Sequence, residues 1–226
     1  MEKVIIFGEG NIQEVANFYL QRDERYEVVG FTADSAFIKN DIYLNMPIVP
    51  FEEVENIYSP KEYKMFIPLG YKENNHLRAR KYYQAKEKGY SFITYISPKA
   101  TYYGTAIGEN CFIFENNVIQ PFTKIGNNTI MWSGNHLGHH SIIGNHCFIA
   151  SHVVISGCSM IDDYTFVGVN ATFRNGIHVA KNNLIGAGAI IMEDTAEGEV
   201  YVPAKSVLLK KKSCEVHIDI QEEVRK

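Results

Sequence analysis

The sequence predicts a chain in two parts, a small parallel α/β domain followed by a parallel β-helix. Three observations predict this fold class. Strand-like and helix-like segments alternate over residues 1–97, which is typical of a parallel α/β sheet. The helical pattern ends after Pro98. From Ile107 to Ile191 a large apolar residue then recurs at every sixth position, which is typical of a β-helix.

The amino-terminal part contains strand and helix patterns in alternating order. KVIIFG at residues 3–8 is typical of a buried strand, and NIQEVANFYLQ behind it has the apolar spacing of a helix. YEVVGFTAD predicts a second strand that ends at Asp34. Three further segments follow: a strand in KMFIPLG ending at Gly70, a helix in NHLRARKYYQAKEKG closed by Gly89, and a last short strand in SFITYISP.

The segment GEGNIQ at residues 8–13 contains two of the three glycines of a dinucleotide-binding fingerprint. Gln13 stands in place of the third glycine. The order of strand, glycine turn and helix start predicts a helix amino terminus that accepts phosphate. The domain is too short for a two-lobed dinucleotide fold, so the pattern favours a nucleoside diphosphate over NAD.

Ligands of parallel sheets bind beyond the carboxyl ends of the strands, which directs attention to the residues that follow each strand. Asp34 is a candidate for contact with a ribose or base. Arg78 is either a ligand contact or a charge on the helix surface. The candidate substrate-binding residues are Gly8, Gly10, Asn11, Asp34, Gly70, Asn75 and Arg78.

The six-residue repeat predicts the second part in detail. The position after the apolar residue is often glycine, and the position four after it is usually small or short and polar. Three such hexapeptides form one coil of about 18 residues, whose inward aliphatic side chains fill a narrow interior. The repeated apolar positions are Ile107, Ile113, Ile119, Ile125, Met131, Leu137, Ile143, Ile149, Ile155, Ile161, Val167, Phe173, Val179, Ile185 and Ile191.

Composition excludes several classes of function. The net charge of −4 and the pI near 6.1 disfavour a broad nucleic-acid surface. No apolar run approaches the roughly 20 residues of a membrane span, and the start of the sequence has no secretory signal pattern. We therefore expect a cytoplasmic protein. The cysteines Cys111, Cys147, Cys158 and Cys214 form no CxxC pair, and no metal is expected.

With its two parts in this order, the chain resembles the bacterial nucleotide-sugar acetyltransferases of the NeuD/PglD/PerB type. The resemblance rests on VIIFGEGNIQEVA, LGYKENNHLRARKYYQAKEKGY, the hexapeptide array, GHHSIIG and VPAKSV. It implies a Rossmann-like first domain that holds the nucleotide of a sugar substrate, and a left-handed β-helix. It also implies a homotrimer with acetyl-CoA in the groove between neighbouring β-helices.

The resemblance also implies roles for single residues. His139 in LGHHSIIG matches the general base, and imidazole suits this role near neutral pH. Gly157, one coil later, matches the backbone N–H that stabilises the oxyanion. His140 is the third candidate catalytic residue, and it stands where relatives often have an acidic residue that orients the imidazole. A histidine supplies no fixed negative charge there, so substrate contact and plain surface are the two alternatives for His140. The residues expected along acetyl-CoA are Gly157, Gly168, Gly186, Ala187 and Gly188, with tight coil corners as the alternative explanation.

Five of the eight histidines lie between residues 134 and 152. In an 18-residue coil they belong to several columns, mostly pointing outward, so a three-histidine metal cage within one subunit is disfavoured. A zinc site shared between subunits is the alternative, because related β-helix carbonic anhydrases bind zinc there. The histidines are His136, His139, His140, His146 and His152.

These patterns together predict an acetyl-CoA-dependent acetyltransferase acting on an amino group of a nucleotide-linked sugar. Two alternatives remain at this point: a sugar O-acetyltransferase of the sialic-acid type, and a metal-using or non-catalytic β-helix protein. We expect an α/β domain over residues 1–97, a β-helix over 98–206 and a tail over 207–226.

Overall fold

The computed structural model describes residues 1–210 and residue 212, and it begins with a five-stranded sheet. The strand order is β3-β4-β2-β1-β5. Its pairings are parallel except for the antiparallel pair of β3 and β4. The strands are β1 at Glu2–Phe7, β2 at Tyr26–Ala33, β3 at Ile42–Tyr43, β4 at Met46–Pro50 and β5 at Lys64–Phe66.

Helices cover both faces of this sheet. Helix α1 at Asn11–Leu20 packs on one face, while α2 at Val54–Ile57 and α3 at His76–Glu87 pack on the other. Short 3-10 turns lie at Ser35–Phe37 and Phe51–Glu53. The predicted strands β1, β2 and β5 and helices α1 and α3 are all present. The hairpin of β3 and β4 was not predicted from the sequence.

The last strand predicted for the α/β domain belongs to the β-helix instead. Strand β6 at Tyr95–Ile96 pairs with the β-helix strand at Phe112–Ile113. The preceding Phe92 makes a single bridge to Met65 of the α/β sheet. The segment SFITYISP therefore joins the two parts, and the sequence-based assignment of its strand to the α/β sheet is wrong.

The β-helix has three flat faces, each a parallel sheet of two-residue strands. The first face contains β6, β9 (Phe112–Ile113), β12 (Ile130–Met131), β15 (Phe148–Ile149), β18 (Phe166–Val167), β21 (Leu184–Ile185) and β23 (Val200–Tyr201). The second contains β7 (Thr101–Tyr102), β10 (Val118–Ile119), β13 (His136–Leu137), β16 (Val154–Ile155), β19 (Thr172–Phe173) and β22 (Ile190–Ile191). The third contains β8 (Ala106–Ile107), β11 (Lys124–Ile125), β14 (Ile142–Ile143), β17 (Met160–Ile161) and β20 (His178–Val179).

The corners between faces are named in chain order: the first corner joins the first and second faces, the second corner joins the second and third, and the third corner joins the third and first. Every repeated apolar position except Ile107 is buried in one continuous core, which confirms the predicted repeat. A Cβ atom on Gly138 would lie 2.4 Å from the backbone nitrogen of Gly157 in the next coil. Glycine is therefore required where the chain turns this closely.

Each corner also contains one residue in the left-handed conformation, three positions after the inward apolar residue. Asparagine and histidine tolerate this conformation better than most residues. His140, His146 and His152 all occupy it, with φ between 59° and 60°. Three of the five clustered histidines therefore stand at positions that the backbone geometry of the turn favours for this residue type.

The α/β domain packs on the first face of the β-helix through aromatic rings. Tyr19 of α1 contacts Phe112 and Phe114, with ring centroids 6.2 Å and 5.4 Å away. Tyr71 lies 5.0 Å from Phe148 and 4.7 Å from Phe166. Such contacts bury large apolar areas and favour edge-to-face geometry. One hydrophobic cluster therefore spans both parts of the chain.

Arg78 joins helix α3 to the third corner of the β-helix. It is fully buried, and burial lowers the pKa of its guanidinium to about 10, which keeps it charged at neutral pH. Its nitrogens donate to the carbonyls of Asn128, His146 and Cys147 at 2.9–3.1 Å. They also donate to the carbonyls of Leu69 and Gly70 and to Asn75 Oδ1. The interpretation of Arg78 as a surface charge is wrong, because α3 turns this side chain into the contact between the two parts.

His146 is likewise buried and is the exception among the five clustered histidines, of which His139, His140 and His152 are exposed as expected. Its Nδ1 pairs with Asn128 Nδ2 at 2.8 Å, and its Nε2 pairs with the Tyr83 hydroxyl at 3.0 Å. Its ring stacks on Tyr164 at 4.8 Å. Burial, aided by the nearby charge of Arg78, lowers the pKa of His146 to about 4. The α/β domain covers this corner, which the repeat pattern does not reveal.

We expect Arg78→Met to lower the free energy of unfolding by roughly 3 kcal/mol or more, because buried carbonyls lose their charged donor. Urea unfolding of the full chain measures this change. The matched control is Arg80→Met on the same helix, which removes an exposed ion pair with Glu73 and should have a small effect. Equal effects of the two substitutions would contradict the structural role of Arg78.

Stability should fall as the pH is lowered from about 6.5 to about 4. Between these values the unfolded chain protonates His146 while the folded chain resists it, so the stabilisation present above pH 6.5 is lost on acidification. Melting temperatures across this range should decline less steeply in His146→Asn than in the wild type. His152→Asn changes an exposed histidine with a similar left-handed φ, and should retain the wild-type slope.

Candidate active site

His139 lies in the second corner of the β-helix, on the exposed side. The 18-residue register places it between Pro121 of the coil before and Gly157 of the coil after, as predicted from the repeat. Its backbone N–H donates to Gln120 Oε1 at 2.9 Å, and its carbonyl accepts from Cys158 N–H at 2.8 Å. Both neighbouring coils therefore hold the main chain at His139.

The imidazole of His139 lies directly against Gly157. A Cβ atom on Gly157 would be 2.9 Å from both Cε1 and Nε2 of His139, closer than side chains tolerate. Glycine at this position therefore lets the ring approach the backbone this closely. Within the described part of the chain, no group accepts a hydrogen bond from the Gly157 N–H. The corner thus places a basic nitrogen and an unused backbone donor side by side.

His140 is the second imidazole of this site. Its Nδ1 lies 3.1 Å from Nδ1 of His139, and the two rings are nearly perpendicular, at 86°. The ring of His140 packs on Phe122 of the preceding coil, with centroids 4.7 Å apart. Glu115 lies away from this pair, in the first corner, where it accepts from the Tyr19 hydroxyl at 2.7 Å.

The small residues predicted along acetyl-CoA divide between two corners. Gly157 is in the second corner, whereas Gly168, Gly186, Ala187 and Gly188 are in the first. The second face separates these groups within one chain. Gly168 is required by packing, because its Cβ would lie 2.5 Å from Ala187 N. Gly188, with a φ of 74°, has open space around it.

The glycine loop of the α/β domain has the conformation that its glycines predict. Gly8 and Gly10 have positive φ values of 101° and 145°. Asn11 is the first residue of α1, and its side chain is exposed. Gln13 donates to the carbonyls of Phe7 and Pro68 at 3.3 Å and 3.1 Å. The Gln13 side chain therefore connects the ends of β1 and β5. This contact explains why glutamine, and not the third glycine of the fingerprint, occupies this position.

Two residues that sequence reasoning missed lie at the same edge of the sheet. The Tyr43 hydroxyl accepts from Gly10 N–H at 3.0 Å and so holds the loop. Lys81 is buried and donates to Asp34 Oδ1 at 2.6 Å. Asp34 and Lys81 border a cavity of about 500 Å³, which is also lined by Phe51 and Gln84. Lys81 is therefore a cation near the predicted phosphate site. The sequence pattern of α3 does not predict that Lys81 lies there.

Gly70, Asn75 and Arg78 lie at the contact between the two parts of the chain. Asn75 is fully buried, and its Nδ2 donates to the Tyr164 carbonyl at 3.2 Å. Gly70 offers its carbonyl to Arg78 at 2.9 Å. All the N–H groups of Arg78 face protein acceptors. The structure thus assigns Asn75 and Arg78 to domain packing, a correction to their prediction as substrate contacts.

The glycine loop of the α/β domain and the corner that holds His139 lie far apart within one chain. The α/β domain covers the first face and the third corner, while His139 and Gly157 lie at the opposite, second corner. No group of three or more histidine, cysteine, aspartate or glutamate side chains among the described residues is arranged to hold a metal ion. No helix in that same part of the chain is long and apolar enough to cross a membrane.

Comparisons with known proteins agree with this architecture. The family model of bacterial transferase hexapeptide repeats matches residues 123–157. The acetyltransferase domain of PglB from Neisseria gonorrhoeae superposes with a TM-score of 0.78 at 21% identity, over 92% of this chain and 100% of that one. PerB from Caulobacter crescentus, in complex with CoA and GDP-perosamine, gives 0.78 at 22% identity, over 91% and 97%. The chain shares the fold of the PglB acetyltransferase domain and of PerB.

The resemblance to the NeuD/PglD/PerB type is therefore confirmed for the fold, an α/β domain followed by a left-handed β-helix. Among curated proteins, bifunctional GlmU of Clostridium beijerinckii is 33% identical over 105 residues, or 46% of this chain and 22% of GlmU. Gamma carbonic anhydrase 1 of Arabidopsis thaliana is 37% identical over 65 residues, or 28% of this chain and 23% of that protein. The chain thus spans less than a quarter of the length of these two relatives.

Proposed function

We propose that this protein is an acetyl-CoA-dependent acetyltransferase that acetylates the amino group of a UDP-, dTDP- or GDP-linked amino-deoxy sugar. The observation that carries the proposal is the imidazole of His139 lying against Gly157, whose N–H is unused within the described chain. The bound CoA and GDP-perosamine of the structurally similar PerB support this substrate class. The product would serve bacterial surface glycan synthesis in the cytoplasm.

The active enzyme is proposed to be a homotrimer. The nucleotide loop and His139 lie on opposite sides of one chain, so a second copy is needed to bring an acceptor sugar to His139. Side chains on the uncovered faces support such an assembly: Val118, Val154, Met160 and Ile190 are 38%, 40%, 41% and 69% exposed. Flat apolar faces of this kind pack well around a symmetry axis.

Neighbouring chains would also complete the acetyl-CoA groove. The second corner of one chain carries Gly157, and the first corner of its neighbour carries Gly186, Ala187 and Gly188. Ala187 and Gly188 are exposed, and open space surrounds Gly188. Small residues of this kind leave room for an extended ligand between β-helices. When bound, acetyl-CoA supplies an acetyl group activated as a thioester.

The two groups at the second corner divide the work of acetyl transfer. Nε2 of His139 takes the proton that the sugar amine loses as its nitrogen bonds to the acetyl carbon. The carbon–sulfur bond of the thioester then breaks, and CoA leaves as the thiol with the proton that His139 held. The Gly157 N–H donates to the thioester oxygen as that oxygen gains negative charge, and a fixed backbone donor needs no reorganisation for this. The β-helix holds both groups through its coil-to-coil hydrogen bonds.

His139→Ala should lower kcat by about 10²- to 10⁴-fold, because general base catalysis contributes on this scale. The measurement is CoA release, followed with a thiol reagent, from acetyl-CoA and a panel of UDP-, dTDP- and GDP-linked 3- and 4-amino sugars. Matching hydroxyl sugars test the O-acetyltransferase alternative. Turnover of an amino sugar that survives His139→Ala would remove His139 as the base.

Gly157→Ala should lower kcat by about 10-fold or more, because the added Cβ displaces the ring of His139. The control is Gly176→Ala in the same corner one coil later. Its Cβ meets no atom within 4 Å, although its φ of 71° strains the backbone. Equal losses of kcat in both variants would indicate general strain and contradict the role of Gly157.

A further inference from the structure

His139 and His140 form a contact that sets the hydrogen positions of both rings. Their Nδ1 atoms are 3.1 Å apart, within the range of a nitrogen–nitrogen hydrogen bond. Two neutral imidazole nitrogens bond only when one carries the hydrogen and the other offers its lone pair. One of the two Nδ1 atoms is therefore the donor, and the tautomers of the two rings are coupled.

The proposed reaction beside Gly157 decides which of the two Nδ1 atoms is the hydrogen-bond donor. A general base needs its lone pair on the nitrogen that faces the reacting groups, which is Nε2 of His139. The hydrogen of neutral His139 then resides on Nδ1 and points to His140. Nδ1 of His140 accepts it, and the hydrogen of His140 resides on its own Nε2. After proton transfer, His139 carries hydrogens on both nitrogens, and the bond to His140 becomes charge-assisted.

The fold holds His140 in place for this role. Its φ of 59° is the left-handed conformation that every corner requires, and its N–H donates to the Pro121 carbonyl at 3.3 Å. Its ring rests on Phe122. The preceding coil presents Gln120, Pro121 and Phe122 to the pair, and the following coil presents Gly157 and Cys158. Of these neighbours, Cys158 is the ionisable one.

We propose that His140 is a positioning residue, whose neutral imidazole accepts the Nδ1–H of His139 and keeps Nε2 of His139 free to act as the base. This inference rests on the proposed function. It assigns to an imidazole the part that an acidic neighbour often plays in relatives. A neutral acceptor sets the tautomer and the ring orientation without adding a fixed negative charge.

The first test is kinetic and compares two substitutions of His140. His140→Ala removes the acceptor and should lower kcat by about 10- to 1000-fold with little change in KM. His140→Asn should restore most of this loss, because Oδ1 occupies the place of Nδ1 and asparagine tolerates the left-handed φ. Asn182→Ala is the matched control, since it places alanine at a left-handed φ of 62° in the third corner, away from His139, and should leave kcat unchanged.

The second test does not depend on turnover. Nitrogen-15 NMR of protein labelled at its histidines reports the tautomer of each ring, and His139→Ala assigns the signals of His139. We expect the Nδ1–H tautomer of His139 in the wild type and in His140→Asn, and its loss in His140→Ala. An unchanged His139 tautomer in His140→Ala would overturn the proposal, as would a wild-type kcat in that variant.

The two tests separate this inference from the proposed function. If no acceptor in the panel is turned over, the proposed function fails while the tautomer measurement still decides the role of His140. If turnover is found and His140→Asn is as slow as His140→Ala while Asn182→Ala is normal, hydrogen-bond acceptance by His140 is excluded. A matching rescue of both kcat and tautomer in His140→Asn supports the positioning role.

Discussion

Residues 18 positions apart lie directly above one another in this β-helix, and the other arrangements in the molecule depend on that register. The inward aliphatic side chains form one dry core, and the backbone hydrogen bonds run from coil to coil. Each corner needs one left-handed residue, and several need a glycine because the next coil approaches too closely for a Cβ atom. This register alone places His139 beside Gly157, although they are 18 residues apart in the chain.

The contact between the two parts of the chain is the second constraint. Aromatic rings cover the first face, and the guanidinium of Arg78 satisfies carbonyls at the third corner that would otherwise be buried without a donor. Burial of a charge is tolerated here because every N–H has an acceptor. The α/β domain is thereby held against one side of the β-helix, which leaves the second corner exposed.

This arrangement places two candidate sites on different sides of one chain. The glycine loop, Asp34 and Lys81 form a polar edge on the α/β sheet beside the amino terminus of α1, where we propose that a nucleotide and its phosphates bind. The second corner carries His139, which we propose as the base, together with His140 and the backbone N–H of Gly157. Because these two regions lie on opposite sides of one chain, the chemistry that we propose depends on packing between copies of the chain.

The sequence by itself determined the fold class, the repeat and the place of His139 next to Gly157, because a six-residue period is a local property that maps directly onto the coil. It also located the glycine loop, whose residues act through backbone conformation. Only the tertiary structure decided that Arg78 and His146 are buried, that Gln13 bridges two strands and that Lys81 meets Asp34. It also revealed the Nδ1 contact of His139 with His140. These contacts depend on which face of the β-helix the α/β domain covers and on the conformations of the side chains. The six-residue period of the sequence specifies neither of these.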